Sequence, residues 1–90
     1  MDLDTVIRQN PETPTRRIED FVHVLDTEKG TLHTFNDVAA FIWESIAEPR
    51  RIGDVVAAVV AEFEVAEETA AADTLALADE LVQKNLALTP

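Results

Sequence analysis

Ninety residues, 47% of them apolar, are enough for one modest core and too few for two. The chain has no cysteine, which excludes disulfides, thiolate metal sites and thiol nucleophiles. Eighteen acidic against seven basic residues leave a net charge of −11, and a surface of that sign argues against nucleic acid and anionic membranes as partners.

Residues 1–13 show no apolar period and contain Asn10-Pro11, so they read as a flexible arm ahead of a domain spanning 14–90. The opening MDLDTVIRQNPETP is polar and acidic, unlike a secretion signal, and no apolar run approaches the ~20 residues needed to cross a bilayer. A cytoplasmic protein is the expectation.

TRRIE, residues 15–19, reads as a short strand that pairs with the next one. DFVHVLD (20–26) alternates Phe21, His23 and Leu25 against Val22 and Val24, and TLHTF (31–35) alternates Thr31, His33 and Phe35 against Leu32 and Thr34. Between them Gly30 suits the left-handed position that closes a hairpin turn. A loop of Glu28, Lys29 and Gly30 sets Leu25 opposite His33 and His23 opposite Phe35. The odd-numbered residues then share a face, and Phe21, Leu25 and Phe35 make it the expected core face.

Asn36 is placed to end the last strand and cap a helix with its side-chain oxygen, and Asp37 adds a charge suited to the helix N-terminus. The inward stripe of this first helix is Val38, Ala39, Ile42, Trp43 and Ile46, with Pro49 as a stop. A second helix, roughly 52–63, turns Ile52, Val55, Val56, Val59 and Phe63 inward. A third, roughly 66–84, has Glu67 and Glu68 in its first turn and Lys84 in its last. Asn85 suits the left-handed cap, and Leu86 and Leu88 return to the core. The third helix has two apolar edges, Ala70–Thr74–Leu77–Leu81 and Leu75–Ala78–Val82, where one buried stripe needs only the first. Three strands and then three helices make an α+β fold of winged-helix type, a three-stranded antiparallel sheet followed by three helices.

Catalytic chemistry is hard to assemble from these residues. His23 and His33, the only imidazoles, lie on neighbouring strands without a third ligand at metal spacing. Asp79-Glu80 and Glu67-Glu68 are adjacent along helices and do not face each other as an acid–base pair. Gly30 and Gly53 cannot build a phosphate cradle. The single Ser45, in WESIA, does not match the Asp-Ser-Leu arm site of acyl carrier proteins. No catalytic residue, metal or cofactor is expected. What remains is the backbone. If Thr31–Phe35 is an edge strand, it carries neither Pro nor Lys to blunt it, and an extended peptide can add itself there beside the third helix. Otherwise the edge is left open or covered by the 1–13 arm.

Phe35-Asn36 followed by Ile42-Trp43-Glu44 resembles the Leu-Asn…Ile-Trp-Glu signature of PqqD-like proteins, the recognition elements for precursors of ribosomally made, modified peptides. The acidic-glycine hairpin before it, RRIGDVVAAVVAEFEV, and ADTLALADELVQKNLAL extend the resemblance over about 15–88. The chain departs from the pattern at Phe35 (Leu is usual), Glu64 (Asp), Asn85 (Gly) and Leu77 (Phe), all compatible with the same packing. The resemblance implies a non-catalytic protein that binds the leader of a precursor peptide and presents it to a modifying enzyme, often a radical SAM protein. It implies that the leader adds to the third strand and lies on the third helix, here Thr31, Leu32, His33 and Thr34 with Leu75, Ala78, Asp79 and Val82. Such proteins occur as monomers or dimers.

Two other readings stand beside this one. A winged-helix DNA-binding regulator would need its second or third helix, both acidic, to face phosphates. A structural interaction module would pair its own edge strands without any peptide substrate.

Overall fold

The alternating segments do form a hairpin; residues 31–35 keep Phe35 inward as expected, but residues 21–26 turn the opposite face inward. The computed structural model describes all 90 residues. Strands β2 (Thr15–Ile18), β3 (Phe21–Asp26) and β4 (Thr31–Asn36) make an antiparallel sheet in the order β2-β3-β4. Leu25 pairs with Leu32, Val24 with His33 and Val22 with Phe35. Val22 and Val24 are buried, whereas Phe21 is exposed. The loop accounts for the change. It is the four residues Thr27–Gly30 between the closing pair Asp26 and Thr31. One residue more than expected shifts the register by one, which sets the even-numbered residues of β3 on the same face as the odd-numbered residues of β4. Gly30 has φ 66, and its N–H donates to the Asp26 carbonyl at 2.8 Å. The buried Asp26 carboxylate accepts from the N–H groups of Glu28 and Lys29, which sets the four-residue turn.

The 1–13 segment is not a loose arm. Strand β1 (Val6–Gln9) sits in a second small sheet between β5 (Arg50–Arg51) and β6 (Ala87–Leu88), in the order β5-β1-β6. Ile7 is in the core. Ahead of the strand, the carbonyls of Leu3 and Thr5 accept from the N–H groups of Gly53 and Ile52, at 2.8 and 2.9 Å. These are donors that a helix N-terminus leaves free, so the segment caps the helix that follows β5. Its partners lie more than 40 residues away along the chain and are two residues long, so no local period announces it.

Helix α1 is Asp37–Ser45, α2 is Ile52–Phe63 and α3 is Glu67–Gln83. Asn36 stands at the N-cap of α1 but makes no side-chain capping bond. It pairs with Phe21 on the outward face of the sheet, so its amide points away from the helix. Asp37, at φ 47, makes the turn from strand to helix instead. Asn85, at φ 60, takes the left-handed position after α3 as expected. Along α3 the buried line is Ala70, Thr74, Ala78 and Leu81, and Leu75, Leu77 and Val82 pack against it from both flanks.

Trp43 on α1 is fully buried where the two sheets and the helices converge. Its indole N–H donates to Thr15 Oγ1 at 2.9 Å, and its carbonyl accepts from the Gln9 amide at 2.8 Å. Phe35 tilts against it at 6.1 Å between ring centroids. Next to it, Arg17 Nε donates to Glu44 Oε2 at 2.9 Å and Nη2 to Oε1 at 2.5 Å.

Two outcomes follow from these contacts. The Thr74 hydroxyl is buried without a partner beside a cavity of about 10 Å³ lined by Ile7, Ile42, Ile46 and Val55. Thr74→Val is expected to raise stability by about 1 kcal/mol in urea denaturation, because an unpaired buried hydroxyl loses its hydration without compensation. A loss of stability would mean that the hydroxyl is satisfied. The Arg17 hydrogen bond holds the Glu44 carboxyl below the ordinary carboxylate range. Both side chains are half-exposed, so solvent screens the pair and its contribution is small. That contribution is complete above the ordinary range and is lost as pH falls through the depressed folded value. Glu44→Gln is expected to lower stability near neutral pH, with the gap closing in acid; a gap independent of pH assigns the effect to packing.

Candidate peptide-binding edge

Successive residues of an antiparallel strand direct their backbone groups to opposite neighbours. The Leu25 N–H donates to the Pro14 carbonyl at 3.0 Å, toward β2. Val22, Val24 and Asp26 therefore bond toward β4, and so Thr31, His33 and Phe35 bond back to β3. This leaves the N–H and C=O groups of Leu32 and Thr34 pointing outward, and no strand lies beyond β4. The N-terminal segment, engaged with β5 and β6, does not cover this edge.

The opposite edge is different. By the same alternation Thr15 and Arg17 of β2 turn their backbone groups outward. There the Arg17 side chain spans from the strand to Glu44 on α1. Charged side chains of this kind blunt an edge. No hydrogen bond or ion pair spans from α3 to β4, so the β4 edge stays accessible.

Beside it, β4 and α3 enclose a cleft of about 30 Å³ lined by His33, Phe35, Leu77, Glu80, Leu81 and Lys84, with Leu86 at its end. Its base is apolar and its border is charged. Lys84 Nζ donates to Glu80 Oε1 at 2.7 Å. That bond, the Lys84 charge and, to a smaller extent, the nearby His33 hold the Glu80 carboxyl below the ordinary range. Among groups of His, Cys, Asp and Glu, none of three or more is arranged to hold a metal ion. No helix is long and apolar enough to cross a membrane.

Of the residues expected from the sequence, Thr31, Leu32, His33 and Thr34 lie together on β4, with His33 facing the cleft and Leu32 and Thr34 supplying the free backbone groups. The α3 positions divide. Ala78 is buried under the helix. Leu75 and Val82 lie on the flank of α3 away from Leu77, Glu80 and Lys84, and Asp79 faces solvent, as a turn of 3.6 residues requires. The structure therefore brings Leu77, Glu80, Leu81 and Lys84, not Leu75, Asp79 and Val82, to the β4 side. An apolar pattern names the two flanks of a helix but not which one faces the strand. The alternation of Leu77 with Glu80 and Lys84 was the available signal, an apolar residue bordered by paired charges.

The family model described as coenzyme PQQ synthesis protein D (PqqD) matches residues 17–87. A structure of TbiB1 in complex with the TbiA(beta) leader peptide is 26% identical, with a TM-score of 0.81 over 89% of this chain and 93% of that one. A lasso peptide synthetase B1 complexed with the leader peptide is 28% identical, with a TM-score of 0.79 over 91% and 96%. Comparison with curated proteins found no match.

Lys84→Ala is expected to move the Glu80 carboxyl titration upward, toward the ordinary range, when followed by side-chain carboxyl NMR. A titration unmoved by the substitution would show that the pair does not form in solution.

Proposed function

The chain belongs to the PqqD family, and on that footing we propose that it binds the leader segment of a ribosomally made precursor peptide and presents it to a modifying enzyme. The observation that carries this reading is the free backbone edge of Leu32 and Thr34 beside the cleft of Phe35, Leu77 and Leu81. The two similar structures, each a complex with a leader peptide, support it.

The mechanism is strand addition. A peptide laid along β4 exchanges N–H···O=C bonds with Leu32 and Thr34, which are sequence-independent and supply much of the affinity. Alternate peptide side chains then enter the cleft between His33 and Leu77, where an apolar residue covers Phe35 and Leu81. A few such anchors dominate the affinity and select the partner. The domain performs no chemistry on the peptide; it holds the segment extended and leaves the remainder for the enzyme.

Proline substitution separates the edge from the ladder. The Leu32 N–H faces outward, so Leu32→Pro removes one bond to the peptide while keeping the sheet. We expect the variant to fold and to bind a cognate leader about tenfold more weakly in isothermal titration, the effect of one lost hydrogen bond. His33→Pro removes a ladder bond and is expected to unfold the hairpin. In the parent, backbone amide resonances of Leu32 and Thr34 should shift on saturation with leader. Leader that binds without moving those resonances, and equally well to Leu32→Pro, would overturn strand addition.

A further inference from the structure

Neither the core nor the strand edge uses a polar recess of about 40 Å³ between the hairpin turn and the end of α3. It shares Lys84 and Leu86 with the cleft, so it continues the cleft toward the turn. Its walls include Glu12, Asp26, Glu28 and Asn85, and Leu86 is its one apolar residue. Asp26 is only 6% exposed. Its Oδ1 accepts from the N–H groups of Glu28 and Lys29. Its Oδ2 accepts from no donor of the chain, and the side chain lines the recess. A carboxylate oxygen withdrawn from water and left without a donor is costly until a ligand supplies one. The charges around it have one sign. Lys84 is the only cation of the recess, and Glu80 already holds it at 2.7 Å. No ion pair reaches Glu12, Asp26 or Glu28. Helix α3 ends at Gln83, so its C-terminus adds negative potential at the same place.

We propose that this recess binds a lysine or arginine side chain of the leader peptide, with Asp26 Oδ2 as the buried acceptor and Glu12 and Glu28 as the outer carboxylates. The proposal rests on the function given above and names the class of leader. Reach selects the side chain. Asp26 lies on β3, whereas the added peptide lies beyond β4. Two strand spacings, about 10 Å, separate the peptide backbone from β3. Lysine and arginine cross that distance, and histidine is too short. Glu12, Asp26 and Glu28 are not arranged to hold a metal ion, which leaves an organic cation as the occupant. Register then fixes the spacing. His33 borders the cleft, and Thr31, two residues along β4 on the same face, pairs with Asp26. Residues two apart on a strand share a face. The cationic residue of the leader therefore stands two positions from the apolar anchor, on the side of the hairpin turn. The domain selects an apolar and a cationic side chain at that spacing, and the Lys84–Glu80 pair keeps the charge of Lys84 from repelling the second.

The test uses the intact chain and its leader peptide in isothermal titration. Each Lys and Arg of the leader is replaced in turn by norleucine, which keeps an unbranched stem and removes the charge. One replacement, two positions from the anchor, is expected to weaken binding about tenfold, and the others by less than about twofold. In Asp26→Asn that loss is expected to fall to about twofold. Asparagine keeps an oxygen for the turn, and Glu12→Gln, at an exposed position, reads the same coupling without touching the turn. Glu68→Gln, on the first turn of α3, is the control and should keep the full loss. A loss of equal size in the parent and in both recess variants overturns the proposal, as does the absence of a loss at every position. A leader with neither Lys nor Arg at that spacing overturns it as well, and so does calcium that shifts the Asp26 and Glu28 amide resonances of the free chain, which would make the recess a metal site. Absence of leader binding by the parent overturns the function beneath it. A leader that has lost its cation but still moves the Leu32 and Thr34 amides leaves that function standing.

Discussion

Trp43 is the constraint from which the rest of the molecule is arranged. Its ring fills the junction, its N–H holds Thr15 of β2, its carbonyl holds Gln9 of β1, and Phe35 of β4 leans on its face. Both sheets are thereby tied to one helix. A domain of 90 residues without cysteine has no staple, so one large side chain with every polar atom engaged does that work. The neighbours in the Ile42-Trp43-Glu44 run extend it in two directions. Ile42 faces the helices from the core, and Glu44 reaches outward to Arg17. The run is a joint among three layers, and this explains how a binding protein can carry a recognisable signature at residues that touch no ligand.

The layout of the fold was legible wherever short-range physics decides it. Helix α2 begins and ends where its Ile and Val spacing places it, and the left-handed Gly30 and Asn85 lie at the predicted ends of elements. What could not be read depends on distant partners or on parity. Strand β1 has no period of its own because it is completed by Arg50–Arg51 and Ala87–Leu88. The inner face of β3 is hidden because Phe21 and Leu25 are larger than Val22 and Val24, and size suggests burial. The smaller β-branched pair is inside because the four-residue loop sets it opposite Phe35 and His33, which face inward. Which flank of α3 lies beside β4 is hidden for a related reason. Amphipathicity defines an axis of burial, and only the docking of the helix assigns left and right.

The distribution of charge gives this small surface its directions. Acidic residues crowd the helices, where they repel nucleic acid and keep the domain soluble. The sheet's outer face is free of them, and the β4 cleft holds one carboxylate already paired with Lys84. The two faces that are not strongly acidic adjoin each other along Leu32. A partner approaching elsewhere meets like charge or a solvated helix. The domain thus directs extended, apolar or cationic segments toward a single margin of the sheet.

The four-residue turn Thr27–Gly30 governs that margin more than its position at the far end of the hairpin suggests. An antiparallel pairing has two parities. In one, His33 and Phe35 look inward while Leu32 and Thr34 hold their backbone groups to the outside; in the other, both assignments exchange together. Adding or removing one residue in this loop would therefore turn Leu32 and Thr34 toward the core and also draw their backbone groups into the ladder with β3. The loop behaves as an even-numbered counter. Changes of length by two preserve this arrangement, and odd changes hand the free backbone groups to Thr31, His33 and Phe35 while turning those side chains out of the cleft.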